Sequence, residues 1–331
     1  MTAARSGHTV TVLPDFSLFI AGGTDSHGAI LATTEIYDPN TEKFSPAAKM
    51  LFPRTGHAAG ALSDGKILIA GGTTRGGITL ASSEDYDPET GEFTRRGNLH
   101  MPRARAGVTV LRDGRILVTG GMNGKIILDS AETYDVLNGK WTLMGRMSTA
   151  RLGHTATLLA DGRVLIAGGV NAAHAVLASC EIFDPQTNKF STAASMEMKE
   201  ARFRHTSALL PNGKVFIAGG ASDFAGKQLL ASAEVFDPAS KSFSPAGEMN
   251  EPRMKMPDAY TLLDGRVLIL GGAQPAEIYD SKAGSFRLVT GSFDIARFNS
   301  VGIQLMDGSV RIFGGEDASG TSTAKTWIYR P

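Results

Sequence analysis

Residues 151–198 read RLGHTATLLADGRVLIAGGVNAAHAVLASCEIFDPQTNKFSTAASMEM, and this stretch decides the fold. His154–Leu159 is a run of β-forming residues. Asp161-Gly162 follows as a tight turn, because Asp-Gly tolerates the positive φ angles of a type I′ hairpin. The next run, RVLIAGG, is almost continuously apolar, as expected of a strand covered on both faces. A loop leads to a third strand, SCEIFDP, which stops at Asp184-Pro185 because proline has no N–H for the ladder. The fourth strand is NKFSTAAS. Helical spacing of apolar residues is absent throughout. Four short strands joined by hairpins form one antiparallel unit that cannot bury its apolar surface alone.

The unit recurs seven times. Each copy is marked by a Gly-Gly pair closing an apolar run, at Gly22-Gly23, Gly71-Gly72, Gly120-Gly121, Gly168-Gly169, Gly219-Gly220, Gly271-Gly272 and Gly314-Gly315. Successive spacings of 49, 49, 48, 51, 52 and 43 residues fit a repeat architecture of stacked units. The prediction is an all-β, seven-bladed propeller of four-stranded antiparallel blades. One domain spans 1–331, with repeats near 1–50, 51–99, 100–147, 148–198, 199–249, 250–293 and 294–331. The last blade is incomplete: Ala324–Pro331 matches a third strand and no fourth follows. MTAAR at Met1–Arg5 matches MSTAR at Met147–Arg151, so the sequence starts just after a fourth-strand position. Either blade seven has three strands, or an upstream segment completes it and could also carry an export signal. The second arrangement is the expectation, which leaves localisation open and allows an extracytoplasmic protein.

Composition narrows the partners. Thirty-three basic and 33 acidic residues balance, whereas a nucleic-acid binder carries a basic excess to neutralise phosphates. No apolar run approaches the roughly 20 residues a membrane helix needs, and the expected state is a monomer. Cys180 is the one cysteine, so no internal disulfide exists. It fills the slot held by Ala131 and Ala233 in other repeats and reads as a small buried residue.

The chain resembles the kelch repeat family. The resemblance rests on the Gly-Gly strand followed by an aromatic on the third and another on the fourth strand. The pairs are Tyr37 and Phe44, Tyr86 and Phe93, Tyr134 and Trp141, Phe183 and Phe190, Phe236 and Phe243, and Tyr279 and Phe286. The RxGHTATLL and DGRVLIAGG wording is similar to multi-kelch proteins of bacteria, many of them exported. The resemblance implies a funnel whose loops at one mouth bind ligands, but no single activity, since the family includes peptide-binding adaptors, copper oxidases and sugar-processing enzymes. The copper oxidases need a cysteine cross-linked to a tyrosine plus two histidines, and Cys180 lies in a repeated structural slot. No cofactor and no metal are expected.

Candidate site residues come in two sets. An arginine opens each repeat: Arg5, Arg54, Arg103, Arg151, Arg202, Arg253 and Arg297. These guanidiniums either face the funnel, where they could bind carboxylates, phosphates or sulfates, or pair with the recurrent glutamates Glu35, Glu84, Glu132, Glu181, Glu234 and Glu277. Histidines His8, His57, His154 and His205 share one motif slot on different blades and read as structural. The second set lies where the pattern breaks. Blade six reads RMKMPDAYTLL and has a shortened loop, blade seven begins its loop with Glu316-Asp317, and blade five puts Arg204 in a glycine slot. The predicted ligand-binding set is Arg202, Arg204, Lys255, Asp258, Arg297, Asn299, Glu316 and Asp317, with no catalytic residue. The expected function is non-catalytic binding of a protein, peptide or carbohydrate, with acidic groups favoured. The alternative is a glycan-processing enzyme, a lyase or epimerase, with an arginine-rich funnel. No P-loop, GxSxG, HExxH or sialidase Asp-box motif appears.

Overall fold

The computed structural model describes residues 1–193, 195–255, 259–291 and 295–331. Among these, six four-stranded antiparallel sheets and one three-stranded sheet form the seven blades. Blade four is representative: Thr155–Leu158, Val164–Ala167, Cys180–Asp184 and Lys189–Ser191 lie side by side in chain order. Inner strands meet those of neighbouring blades around the ring, and Val301–Gln304 of blade seven meets Thr9–Val12 of blade one.

Burial follows the strand order. Second strands such as Val164–Ala167 are buried along their whole length, since each is covered by sheets on both sides. Fourth strands such as Lys43–Ala47 are largely exposed. Their aromatic residue turns back onto the third strand: the rings of Tyr37 and Phe44 lie 4.8 Å apart, and those of Phe183 and Phe190 5.0 Å. Such pairs add about 0.5–1.5 kcal/mol beyond the area they bury. Contacts between blades use the same currency, as where Phe19 of blade one stacks on Tyr86 of blade two at 4.2 Å.

The hairpin at Asp161-Gly162 corrects one expectation. Only Gly162 has a positive φ, at 89°, whereas a type I′ turn needs two. The Gly162 N–H donates to Leu159 C=O, and the Leu159 N–H donates to Arg163 C=O. This is the longer loop in which a turn is followed by a left-handed glycine, and Asp161 serves by accepting the Arg163 N–H at 3.0 Å.

Gly22-Gly23 shows why the repeat ends in paired glycines. Their φ angles are 62° and 95°, which only glycine adopts without cost. A Cβ on Gly22 would collide with the Arg54 carbonyl oxygen, and one on Gly23 would come within 2.8 Å of the Ser6 oxygen. The close approach is itself the joint between blades, for the Gly23 N–H donates to the Arg54 C=O at 2.9 Å.

The ring closes by the same joint. The Gly315 N–H donates to the Arg5 C=O at 2.8 Å, and the Met1 amino group donates to Ala324 C=O at 3.0 Å. Blade seven is three-stranded: Val301–Gln304, Val310–Phe313 and Thr326–Tyr329. The seam between blades seven and one departs from its counterparts. Arg311, buried on the second strand of blade seven, holds the slot of Phe19, Leu68 and Leu117, and its Nη2 lies 3.9 Å from Glu42 of blade one.

Candidate functional site

Six of the seven repeat arginines are clasps within the scaffold. Arg151, wholly buried, donates from Nη1 to Gly168 C=O at 2.9 Å and Ser179 C=O at 2.8 Å, and from Nη2 to Glu181 at 3.1 Å. Arg5, Arg54, Arg103, Arg202 and Arg253 pair in the same way with Glu35, Glu84, Glu132, Glu234 and Glu277. Each glutamate also accepts a backbone N–H from the segment entering the repeat, as Glu181 does from Ser148 at 2.8 Å. Burial pushes Glu35 upward, yet the Thr2 N–H and the Arg5 guanidinium outweigh it and leave that carboxyl below its ordinary range. Arg202 therefore offers a ligand no surface, and the reading of the arginine series as ion-paired with the glutamates describes these six.

Arg297 differs. Trp327 stands where the glutamate would be, opposite Ile312 as Glu35 stands opposite Ile20. The Arg297 guanidinium lies over the Trp327 ring at 5.5 Å and is buried. A cation–π contact thus stands where the other repeats place the glutamate.

The histidines complete the joints between blades. His57 Nε2 meets Thr9 Oγ1 at 2.8 Å, His154 meets Thr119 at 2.9 Å and His205 meets Thr155 at 3.0 Å. The Cε1 atoms of His8, His57, His154 and His205 lie against the first glycine of the preceding pair, at Gly314, Gly22, Gly120 and Gly168. Burial, reinforced by the neighbouring arginine, pushes His8, His57 and His154 down to about 3, so the rings are neutral.

Two residues beyond each arginine, the backbone turns left-handed and forms a second, innermost ring. Its occupants are Gly7, Gly56, Arg105, Gly153, Arg204, Lys255 and Asn299, with φ between 53° and 67°. Backbone hydrogen bonds join them round the axis. Gly56 N–H donates to Gly7 C=O at 2.9 Å, Arg105 to Gly56 at 2.7 Å, Arg204 to Gly153 at 2.8 Å, Lys255 to Arg204 at 3.0 Å and Asn299 to Lys255 at 3.1 Å. Glycine suits such a position. A residue with a Cβ costs about 1–2 kcal/mol there, so strain of this kind points to a use.

Three of the four non-glycine occupants are cations. Burial lowers the Arg204 guanidinium, Arg105 lowers it further and Glu316 opposes both. Lys255 is likewise lowered, first by burial and then by Arg204, with Arg105 adding to it. These side chains therefore share one electrostatic environment. Asn299 Nδ2 donates to Glu316 at 2.7 Å. Of the predicted set, Arg204, Lys255, Asn299 and Glu316 come together here. Asp317 is engaged in its own loop, where it accepts the N–H groups of Ser319 and Thr321 at 2.9 and 3.1 Å. Asp25 and Asn171 do the same for loops in blades one and four. Asp258 lies outside the described residues.

Sequence reasoning missed Arg105, although the signal was present: Arg103-Ala104-Arg105 breaks the RxG wording in blade three as Arg202-Phe203-Arg204 does in blade five. It also missed an aromatic ledge assembled across blades. Arg204 Cζ lies 5.5 Å from the centre of the Phe203 ring, Phe203 is 6.2 Å from Phe224, and Phe224 stacks on His174 at 4.2 Å with the planes 2° apart. Phe224 and His174 come from separate loops of blades five and four, so no local pattern announces the pair.

A scan of protein families matches the Kelch motif at residues 4–51, 102–148, 151–197 and 202–250, together more than half of the chain. No curated protein matches it in sequence. Among solved structures it is similar to a fungal alcohol oxidase of the AA5 family in complex with copper. The TM-score is 0.79 and the identity 18%, over 99% of this chain and 74% of that one. At that identity the likeness shows the fold alone. The residues here do not fit the copper centre of such oxidases. Cys180 is buried in a repeated slot with its thiol pushed up to about 12 by burial. Among the described residues no three His, Cys, Asp or Glu side chains gather as metal ligands. With its motif matched four times and its blades built on the paired-glycine strand, the chain belongs to the kelch-repeat family.

Proposed function

We propose that this propeller is a non-catalytic binding scaffold whose mouth takes a ligand bearing acidic groups. One observation carries the reading: Arg105, Arg204 and Lys255 replace glycine in strained left-handed slots of a single ring, where burial and the charge of Arg105 lower both Arg204 and Lys255. Three cations gathered at a backbone cost, with Glu316 as their described counter-charge, favour an incoming anion over the empty site. The kelch propeller supports ligand binding in general, and this cluster gives the ligand its sign. An enzymatic reading would call for an acid and a base converging with an arginine on one point. Here Glu316 is held by Asn299 and Asp317 by its own loop.

The test is titration with acidic and neutral probes, hexaglutamate against hexaglutamine, at two ionic strengths. Hexaglutamate should bind, more weakly at high salt, and an Arg204→Gly, Lys255→Gly variant should lose about a hundredfold in affinity while melting cooperatively. Equal binding of the two peptides would overturn the reading.

A further inference from the structure

We infer that the acidic ligand is a glycan containing uronic-acid or similarly carboxylated sugars, with a sugar ring on the His174–Phe224 ledge and its carboxylate on Arg204. The inference rests on the binding reading above and deepens it. Phe224 is 47% exposed in spite of its size, and its stack on His174 makes a flat surface rather than a loose side chain. A pyranose presents an axial C–H face whose partial positive charge complements an aromatic π face, and carboxylated sugars place an anion at the edge of that face. Buried Phe203 connects the two, its ring 6.2 Å from Phe224 and 5.5 Å from the Arg204 Cζ, so one ligand can reach both the stacked rings and the cation.

The backbone argues against a peptide. An extended peptide needs free N–H and C=O groups along an edge. Among the described residues, the loops of blades four, five and seven spend such groups on the bridges Val170–Val176, Ala221–Leu229 and Glu316–Ser322, and the innermost ring spends others on itself. What the mouth presents is side chains: cations, the Asn299 amide and the stacked rings. Hydroxylated, carboxylated rings are read by such groups.

The experiment titrates the whole chain with galacturonate, glucuronate and mannuronate oligosaccharides, their methyl-esterified neutral counterparts, and hexaglutamate. At least one uronate series should bind about tenfold or more tightly than its ester and than hexaglutamate. Phe224→Ala should weaken that glycan about tenfold and leave hexaglutamate unchanged, whereas Arg204→Gly should weaken both. Phe224→Leu, which keeps apolar bulk, separates stacking from loop collapse and should also lose the glycan. If hexaglutamate binds as well as every uronate, or Phe224→Ala leaves glycan affinity intact, the glycan inference fails and the anion reading stands. If no anionic probe binds, both fall.

Discussion

Exchanging the occupants of two slots in the innermost ring should move stability and binding in opposite directions. Arg105 sits at φ 54° with its side chain exposed, and Gly153 sits at φ 67° in the next blade. Arg105→Gly removes left-handed strain of about 1–2 kcal/mol, offset by about 0.5–1 kcal/mol for the extra freedom glycine brings to the unfolded chain. Relief of repulsion with Arg204 and Lys255 adds to the remainder, for a net gain of about 1 kcal/mol. With an unfolding entropy of about 2.1 cal/mol/K per residue, a chain of this length gains about 1–2 °C in Tm. Losing one of three cations should weaken hexaglutamate about fivefold, which corresponds to roughly 1 kcal/mol. Gly153→Arg is the converse: a Cβ there meets Arg204 Cγ at 3.3 Å, close but yielding, so Tm should fall by about 1–3 °C. A fourth cation should tighten the anion. Differential scanning calorimetry and anion titration on the same preparations read both quantities. If the two variants shift Tm in the same direction, or if affinity ignores the charge count, the reading of these slots as strain retained for binding is wrong.

Three further outcomes follow from the scaffold. Glu181→Ala leaves Arg151 buried without its carboxylate and should lower stability by about 3–5 kcal/mol, seen as a fall of about 4–7 °C in Tm; a change under 1 °C would show the clasp to be ornamental. His8, His57 and His154 are neutral in the fold and held near 3, against about 6.5 in the unfolded chain, which therefore binds more protons at low pH. Their contribution is complete above pH 6.5 and is lost as pH falls toward 3, so the urea midpoint should drop steeply between pH 6.5 and 4.5, where a flat profile would contradict the burial argument. Arg311→Leu restores the residue that Leu68 and Leu117 supply elsewhere and should raise stability by about 1–3 kcal/mol; a lower Tm would mean that the Glu42 contact outweighs the desolvation of the guanidinium.

The fold was legible because its rules are local and repeated. A Gly-Gly pair closes the second strand of every blade, and six blades restate the seven-residue interval between Tyr37 and Phe44, so chance agreement is excluded by repetition. The clasp was legible as one of two alternatives, since Arg151 and Glu181 recur together, but the two carbonyls that Nη1 also takes, leaving nothing for solvent, are backbone groups that every residue carries and no residue type signals. The candidate site was legible in part. Arg204, Lys255 and Asn299 betray themselves by standing where Gly7, Gly56 and Gly153 stand in other blades. Arg105 does so by the same rule, but it lies outside the blades whose loops also break pattern. The His174–Phe224 stack was not legible, because two variable loops meet through space and no offset along the chain encodes their distance.

The seam between blades seven and one gives the ring a direction. In an ideal ring every joint is equivalent and opening has no preferred origin. Here one joint exchanges a core side chain for Arg311, paired at 3.9 Å with a half-exposed glutamate. A closed ring broken at one place becomes an open arc whose end blades each lose a neighbour. Under pulling force or denaturant, the chain should therefore unzip from this joint in both directions, with blades three to five the last to yield. Hydrogen exchange would record that order as protection rising from either side of the seam toward the far side of the ring.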